Sequence, residues 1–241
     1  MPVTKARIER NLRRIRDRIA AACARTGRPA DGVRIVAVTK SVEMDTIKAL
    51  LDAGLVQLAE NRVQNLVQRV AETDAYVRRR RKPLPGPVRW HMIGHLQRNK
   101  VKTVLGCAEM IHSVDSLRLA EEINTRAERL ERVVDVLLQV NCSQEAQKFG
   151  VAVGAALHLG EMIDTLANLR LGGLMTMAPL TDDPDQARVP FVRLRELFEE
   201  MSSHKIGGDN FRHLSMGMSQ DYEVAVEEGA TLLRIGTALF E

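Results

Sequence analysis

The sequence predicts a single α/β domain, a (β/α)8 TIM barrel with an extra N-terminal helix. Eight short, β-branched apolar runs alternate with helical segments along the chain. Its 241 residues match the about 250 that such a barrel needs. No shift in composition marks a second domain across residues 1–241. Alternation of strands and helices implies a parallel sheet, because each strand must return through a crossover. Eight units favour closure over an open doubly wound sheet. No GxGxxG follows the first run, so a dinucleotide-binding sheet is the weaker alternative.

Residues 1–27 read as the extra helix. Ile8, Leu12, Ile15 and Ile19 recur at steps of three and four, the period of one helix face. Thr26, Gly27, Arg28 and Pro29 end it. The barrel is expected over 33–240. Its first strand, 33–38 (VRIVAV), is continuously apolar, as a strand covered on both faces should be. A helix over 44–53 stops at Gly54, and strand 56–59 leads into a long helix over 63–80. Strand 88–93 precedes a helix over 96–105, and 110–113 precedes 116–130. The strongest strand pattern, 133–140 (VVDVLLQV), is followed by a helix over 153–166. Strand 169–175 pairs with helix 185–201, and 211–214 with 220–228, and 231–235 closes the series.

Composition removes several functions. Hydrophobic residues at 45% supply a core, but aromatics at 3% leave too few rings for a single-strand nucleic-acid platform. The net charge of +4 is modest and concentrated in the run Arg78–Lys82 ahead of Pro83 and Pro85. That run reads as a solvated helix end, and with no nucleic-acid motif beside it no nucleic-acid partner is expected. Cys23, Cys107 and Cys142 are far apart and form no CxxC pair. Neither a disulfide framework nor a metal site is expected, and a reducing cytoplasm is. No apolar run approaches the ~20 residues of a membrane span, and no signal-peptide pattern opens the chain.

A barrel carries its chemistry at the C-terminal ends of its strands. Lys40 stands directly after the first, and Asn61 after the second. His91 lies on the third, and Ser215, Met216, Gly217 and Ser219 follow the seventh. Arg234, Gly236 and Thr237 end the eighth. A lysine at a strand end can form an imine with an aldehyde when burial or a neighbouring cation lowers its pKa. The loops after the last two strands of a barrel commonly hold phosphate, and here they offer hydroxyls, glycines and a helix entry. Together these describe a phosphorylated aldehyde. Pyridoxal 5'-phosphate (PLP) and the substrate of a Schiff-base aldolase that works without PLP both remain open at this point.

Several segments resemble the pyridoxal-phosphate homeostasis proteins, whose barrel is similar to the N-terminal domain of alanine racemase, the PLP fold type III. They are AVTK at 37–40, ENRVQ at 60–64, WHMIGHLQRNK at 90–100, GLMTM at 173–177, LSMGMS at 214–219 and RIGTA at 234–238. Val140-Asn141 with Glu145, Lys148 and Gly150 belongs to the same set. Ala59, Asn65 and His95 depart from the family pattern at the rim. The resemblance implies PLP as cofactor, held as a Schiff base on Lys40. Ser215, Gly236 and Thr237 match positions around the phosphate, and Arg234 the arginine facing the pyridine nitrogen. Asn61 and Met216 would pack near the ring, with His91 at the pocket edge. Lys148 matches a second lysine used in handling the cofactor. The resemblance also favours a monomer.

Arginine opposite the pyridine nitrogen bears on enzyme or carrier. It does not give up its proton, so the ring stays a weak electron sink. A racemase offsets that with two bases, one of them a tyrosine from a second domain. The tyrosines here are Tyr76 and Tyr222, and Tyr222 reads as a packing residue. The expectation is therefore a carrier that holds PLP and delivers it to apo PLP-dependent enzymes, keeping vitamin B6 and amino-acid pools in balance. A one-domain PLP-dependent amino-acid racemase is the alternative.

Overall fold

The apolar runs become parallel strands of one closed sheet. The computed structural model describes residues 3–241 except 146, 180 and 182. Its elements are α1 (Lys5–Arg25), β1 (Arg34–Val38), α2 (Met44–Asp52), β2 (Gln57–Glu60), α3 (Val63–Arg78), β3 (Arg89–Met92), α4 (Val101–Leu105), β4 (Met110–Val114) and α5 (Leu117–Glu128). They continue as β5 (Val134–Asn141), a two-residue β6 (Val151–Ala152), α6 (Val153–Asp164), β7 (Leu169–Met175), α7 (Arg188–Ser203), β8 (His213–Ser215), α8 (Tyr222–Glu227), β9 (Leu232–Ile235) and α9 (Thr237–Phe240). The strands pair in chain order from β1 to β5, then β7, β8 and β9, and β9 returns to β1. β6 is a short addition to the end of β5.

Two layers of apolar packing follow from strand alternation. Inside the barrel, Val36, Val38, Ala59, Leu137, Met175 and Leu232 form a small cluster. The larger core lies between strands and helices, where Ile47, Leu50, Leu58, Leu66, Val136, Phe191 and Leu194 are buried. Each such side chain contributes about 1.5–3 kcal/mol by leaving water. α1 begins at Thr4, whose hydroxyl caps the Arg7 N–H. It buries Ile8, Leu12, Ile15 and Ile19 and packs against α2, α8 and α9, over the seam where β9 meets β1. Asn11 Nδ2 donates to the Leu239 carbonyl at 3.1 Å, tying the two ends of the chain together.

Three helices differ from the sequence expectation. The helix expected over 96–105 is a 3-10 turn at Arg98–Lys100 followed by the short α4. Leu96 is buried and Gln97 extended, so the chain seats Leu96 before it can coil. The helix expected from 185 opens as a 3-10 turn, Pro184–Ala187, before α7. α8 begins only at Tyr222, because the Met218 N–H donates to Asp221 Oδ1 and folds the preceding residues into a loop. β6 and α9 were not legible. Among the described residues no helix is long and apolar enough to cross a membrane.

The β7 strand bends at Gly173, where its register against β5 shifts. Gly173 has φ +143°, and a Cβ there would stand 1.9 Å from the His213 carbonyl oxygen of β8. Left-handed backbone and backbone crowding coincide, so only glycine fits. Gly173→Ala is expected to cost more than about 3 kcal/mol in urea unfolding. Gly154→Ala, at an open helical position, should change stability by less than about 1 kcal/mol.

Candidate functional site

The C-terminal mouth of the barrel gathers most of the residues singled out in the sequence, but not in the roles expected of all of them. Lys40 follows β1 at the rim, two residues beyond Val38 of the inner cluster. Lys40 is exposed. The reason is local, since Val42 N donates to the Thr39 carbonyl at 3.1 Å and carries Lys40 around the outside of a turn. Arg69 of α3 donates to the Val42 carbonyl and fastens that turn. Beneath it Glu60 is fully buried and accepts from the Thr39 hydroxyl. Burial raises the Glu60 pKa, opposed by the Thr39 hydrogen bond and the charges of Arg69 and Lys40.

The opposite side of the mouth presents backbone donors. Gly236 N and Ala238 N both point at Ser219 Oγ, at 3.3 and 3.1 Å. Two N–H groups converging on one oxygen are the geometry that holds an oxyanion, and here the oxygen that takes both is the Ser219 hydroxyl. Thr237 is exposed between them. Ser219, not Ser215, is therefore the hydroxyl of this cradle. Ser215 is the last residue of β8 and its side chain turns into the barrel, where it is completely buried. Met216, next along the chain, turns the other way and packs in the core between strands and helices. That departs from its expected place beside a ring. Gly217 has φ +90°, and a Cβ there would stand 2.6 Å from the Ala225 Cβ, so this turn requires glycine.

Arg234 lies below the mouth with 4% exposure. Its NH1 donates to Ser215 Oγ at 2.7 Å and its NH2 to the Thr176 carbonyl at 2.8 Å. Burial lowers its pKa to about 10, opposed by the Asp221 carboxylate, so it stays charged at neutral pH. Behind Ser215 comes a residue that sequence reasoning missed. His112 of β4 is fully buried, with Nδ1 2.9 Å from Ser215 Oγ and Nε2 2.9 Å from His91 Nδ1. His91 Nε2 is 2.8 Å from Gln57 Oε1. His91 is thus inside the barrel, not at a pocket edge, because its place in β3 opposite Ala59 turns it inward. The inward alternation of MIHSV in β4 was the available signal for His112.

Asn61 sits at the rim, its backbone so close to Gly94 that a Cβ there would meet the Asn61 carbonyl oxygen at 2.1 Å. It lines a cavity of about 520 Å³ with Arg62, Gln64, His95, Gln97 and Lys100, and Lys40 is not among its walls. Lys148 is ion-paired with Glu145. The segment carrying both is strapped to the mouth by Asn141 Nδ2, which donates to the Glu145 carbonyl at 2.9 Å. Phe149 beside it stacks on His95 with ring centroids 4.1 Å apart. The two tyrosines look elsewhere: Tyr76 Oη bonds Asp52, and the buried Tyr222 phenol faces Arg18 of α1. No group of three metal-ligating side chains occurs among the described residues. In the basic run, Arg80 is held by Asp52 and Tyr76.

The buried histidines set an acid limit. Burial, with the Arg212 and Arg34 charges, lowers the His213 pKa to about 4, and burial, with the His213, Arg89 and Arg34 charges, lowers that of His91 to about 3. His112 lies well below its usual value for the same first reason. The unfolded chain therefore takes up protons near pH 6.5 that the folded chain refuses, and stability falls as pH drops. Glu60, Asp115 and Asp221, whose pKa values burial raises, act in the opposite sense. The urea midpoint is expected to decline already between about pH 6.5 and 5. A flat midpoint across that window would contradict the neutral, buried histidines.

The chain has clear relatives. Residues 3–241 match the family described as alanine racemase, N-terminal domain. A protein of Aquifex aeolicus called pyridoxal phosphate homeostasis protein is 40% identical over 230 residues, 95% of each chain. A crystal structure of an unknown protein from Bifidobacterium adolescentis has TM-score 0.88 at 37% identity, covering 98% of this chain and 95% of that one. PipY of Synechococcus elongatus, solved with PLP bound, has TM-score 0.77 at 30% identity, covering 94% of this chain and 100% of that one. On the family match over nearly its whole length and on relatives this similar, the chain belongs to the alanine racemase N-terminal domain family, within the group of the pyridoxal phosphate homeostasis proteins.

Proposed function

We propose that the whole chain, acting as one barrel domain, binds PLP and serves its homeostasis as a carrier. The observation that carries the reading is the oxygen cradle of Gly236 N, Ala238 N and Ser219 at the same mouth as Lys40. Its donor set suits the cofactor's three handles. Lys40 would take the aldehyde as a Schiff base, the cradle with Thr237 the phosphate, and Arg234 the pyridine nitrogen. Asn61 would border the ring from the β2 rim. When bound, PLP supplies an electrophilic carbon and an electron-withdrawing ring. The relatives named for pyridoxal phosphate homeostasis and the PLP-bound PipY support the same reading.

The chain's own groups favour holding over turnover. Arg234 keeps its proton at neutral pH and would leave the ring nitrogen unprotonated. The Tyr76 hydroxyl is bonded to Asp52, and the buried Tyr222 phenol faces Arg18 of α1. An exposed Lys40 suits exchange, because an aldehyde can reach it without opening the fold. Lys148, paired with Glu145 on the strapped segment, would handle PLP on its way in or out. The reading takes the chain to work in the cytoplasm as a monomer, with apo PLP-dependent enzymes as recipients.

The test is spectroscopic. Protein mixed with PLP should turn yellow, and Lys40→Ala should lose that visible band. Ser219→Ala should weaken retention by about tenfold, the effect of one hydrogen bond to a charged group. Loaded protein should interconvert D- and L-alanine far more slowly than about 1 s⁻¹, a rate ordinary for enzymes. Turnover at that rate would replace the carrier by the racemase. A colourless wild-type protein would remove PLP from the account and restore the Schiff-base aldolase.

A further inference from the structure

Barrel interiors are normally filled by branched apolar side chains in layers. This one is threaded by polar ones. Gln57, His91, His112, Ser215 and Arg234 come from β2, β3, β4, β8 and β9 and form one unbroken hydrogen-bonded chain across the lumen. His112 and Ser215 have no exposure at all, and His91 and Arg234 have 5% and 4%. Buried polar groups of this kind cost stability unless every one is paired.

The direction of every proton in the chain follows from one end. A guanidinium can only donate, so Ser215 Oγ accepts from Arg234 NH1. The other recorded partner of this fully buried hydroxyl is His112 Nδ1, and its proton is paired only when it goes there. His112, kept neutral by burial, then carries its proton on Nε2 and donates to His91 Nδ1. His91 in turn donates from Nε2, which fixes Gln57 Oε1 as the acceptor. Each donor in this sequence is used once and each acceptor once. The charged groups facing the histidines are Arg234, Arg89 and Arg34, with His213 beside them, and none is a carboxylate.

The chain is unsuited to moving protons. It starts at a group that does not release one at neutral pH and ends at an amide, which neither takes nor passes one. What it does is remove freedom. Ser215 can offer Arg234 a lone pair in one orientation only while its hydrogen is committed to His112. The Thr176 carbonyl holds the second nitrogen at 2.8 Å.

We propose that His112, with His91 behind it, is a positioning residue for Arg234, a tautomer-locked brace that fixes the guanidinium beneath the mouth as the donor to the ring nitrogen of PLP. This rests on the PLP reading for the identity of what Arg234 meets, and on the hydrogen-bond chain alone for the brace itself. His112 touches neither the cradle nor Lys40, so its influence on the ligand passes through Ser215 and Arg234.

Two measurements test it. ¹⁵N NMR of the histidine side chains, in protein with and without PLP, should show His91 and His112 both protonated at Nε2 and bare at Nδ1, unchanged between about pH 6 and 8. The other tautomer, or titration in that range, would overturn the brace. In the second, His112→Leu removes the acceptor for Ser215, whereas His112→Asn keeps an oxygen where Nδ1 stood. The leucine variant should bind PLP at least about tenfold more weakly with a shifted visible band. The asparagine variant should stay within about threefold of wild type with the band unshifted. Equal losses in both would mean packing alone, and no loss in either would mean that Arg234 needs no brace; both outcomes overturn the proposal. If the leucine variant fails to fold, the tautomers and the asparagine band decide. A wild-type protein that never turns yellow would refute the PLP reading, while the tautomers of PLP-free protein would still judge the brace.

Discussion

A guanidinium held inside a β-barrel is the constraint around which this molecule is arranged. Taking an ion of that size out of water costs several kcal/mol even after relaxation. Arg234 meets that cost with directed hydrogen bonds to Ser215 Oγ and the Thr176 carbonyl, and with the field of Asp221. Those partners come from the residue after β7, from the end of β8 and from the N-cap of α8, so the closed sheet itself sets the geometry. The inward-facing positions that would otherwise hold branched apolar residues are given to Ser215, His112, His91 and Gln57. The interior gives up some hydrophobic packing for a single, fully paired arrangement.

The mouth above that charge divides into a rigid half and an accessible half. On the β8 and β9 side, the glycine turn at Gly217 and the convergence of two N–H groups on Ser219 build a fixed oxygen cradle. On the β1 side, Lys40 rides an exposed turn fastened by Arg69. A group gripped by its anionic end and reached by an exposed amine is held reversibly, and this pairing underlies the proposed carrier role. The strapped segment with Glu145 and Lys148 overlooks the same opening, with Phe149 closing against His95.

Strands were the most legible part of the sequence, because each is a short apolar run bounded by turns and the barrel has no edge to blur it. Their starts and ends agree with the sequence reading to within about two residues, the usual precision of such boundaries. Helices were less so: α4 and α8 are shortened by tertiary anchors, the burial of Leu96 and the Asp221 turn, that no local pattern carries. In the site, position at a strand end singled out Lys40 and the terminal glycine loop as candidates, and both lie at the barrel mouth. Which face a side chain takes was harder, since Ser215 and Met216 are neighbours pointing to opposite sides of the sheet. Reading inward alternation through β3, β4 and β8 together would have placed His91, His112 and Ser215 in the lumen. Ser219 was one of four residues singled out at the end of the seventh strand, and only the convergence of Gly236 N and Ala238 N sets it apart.

Reductive trapping tests the central claim most directly. Protein loaded with PLP, reduced with borohydride and digested, should carry the phosphopyridoxyl group on the peptide containing Lys40 and on no other lysine. An adduct on Lys148 with Lys40 unmodified, or labelling spread over surface lysines, would contradict the account of the barrel mouth given above.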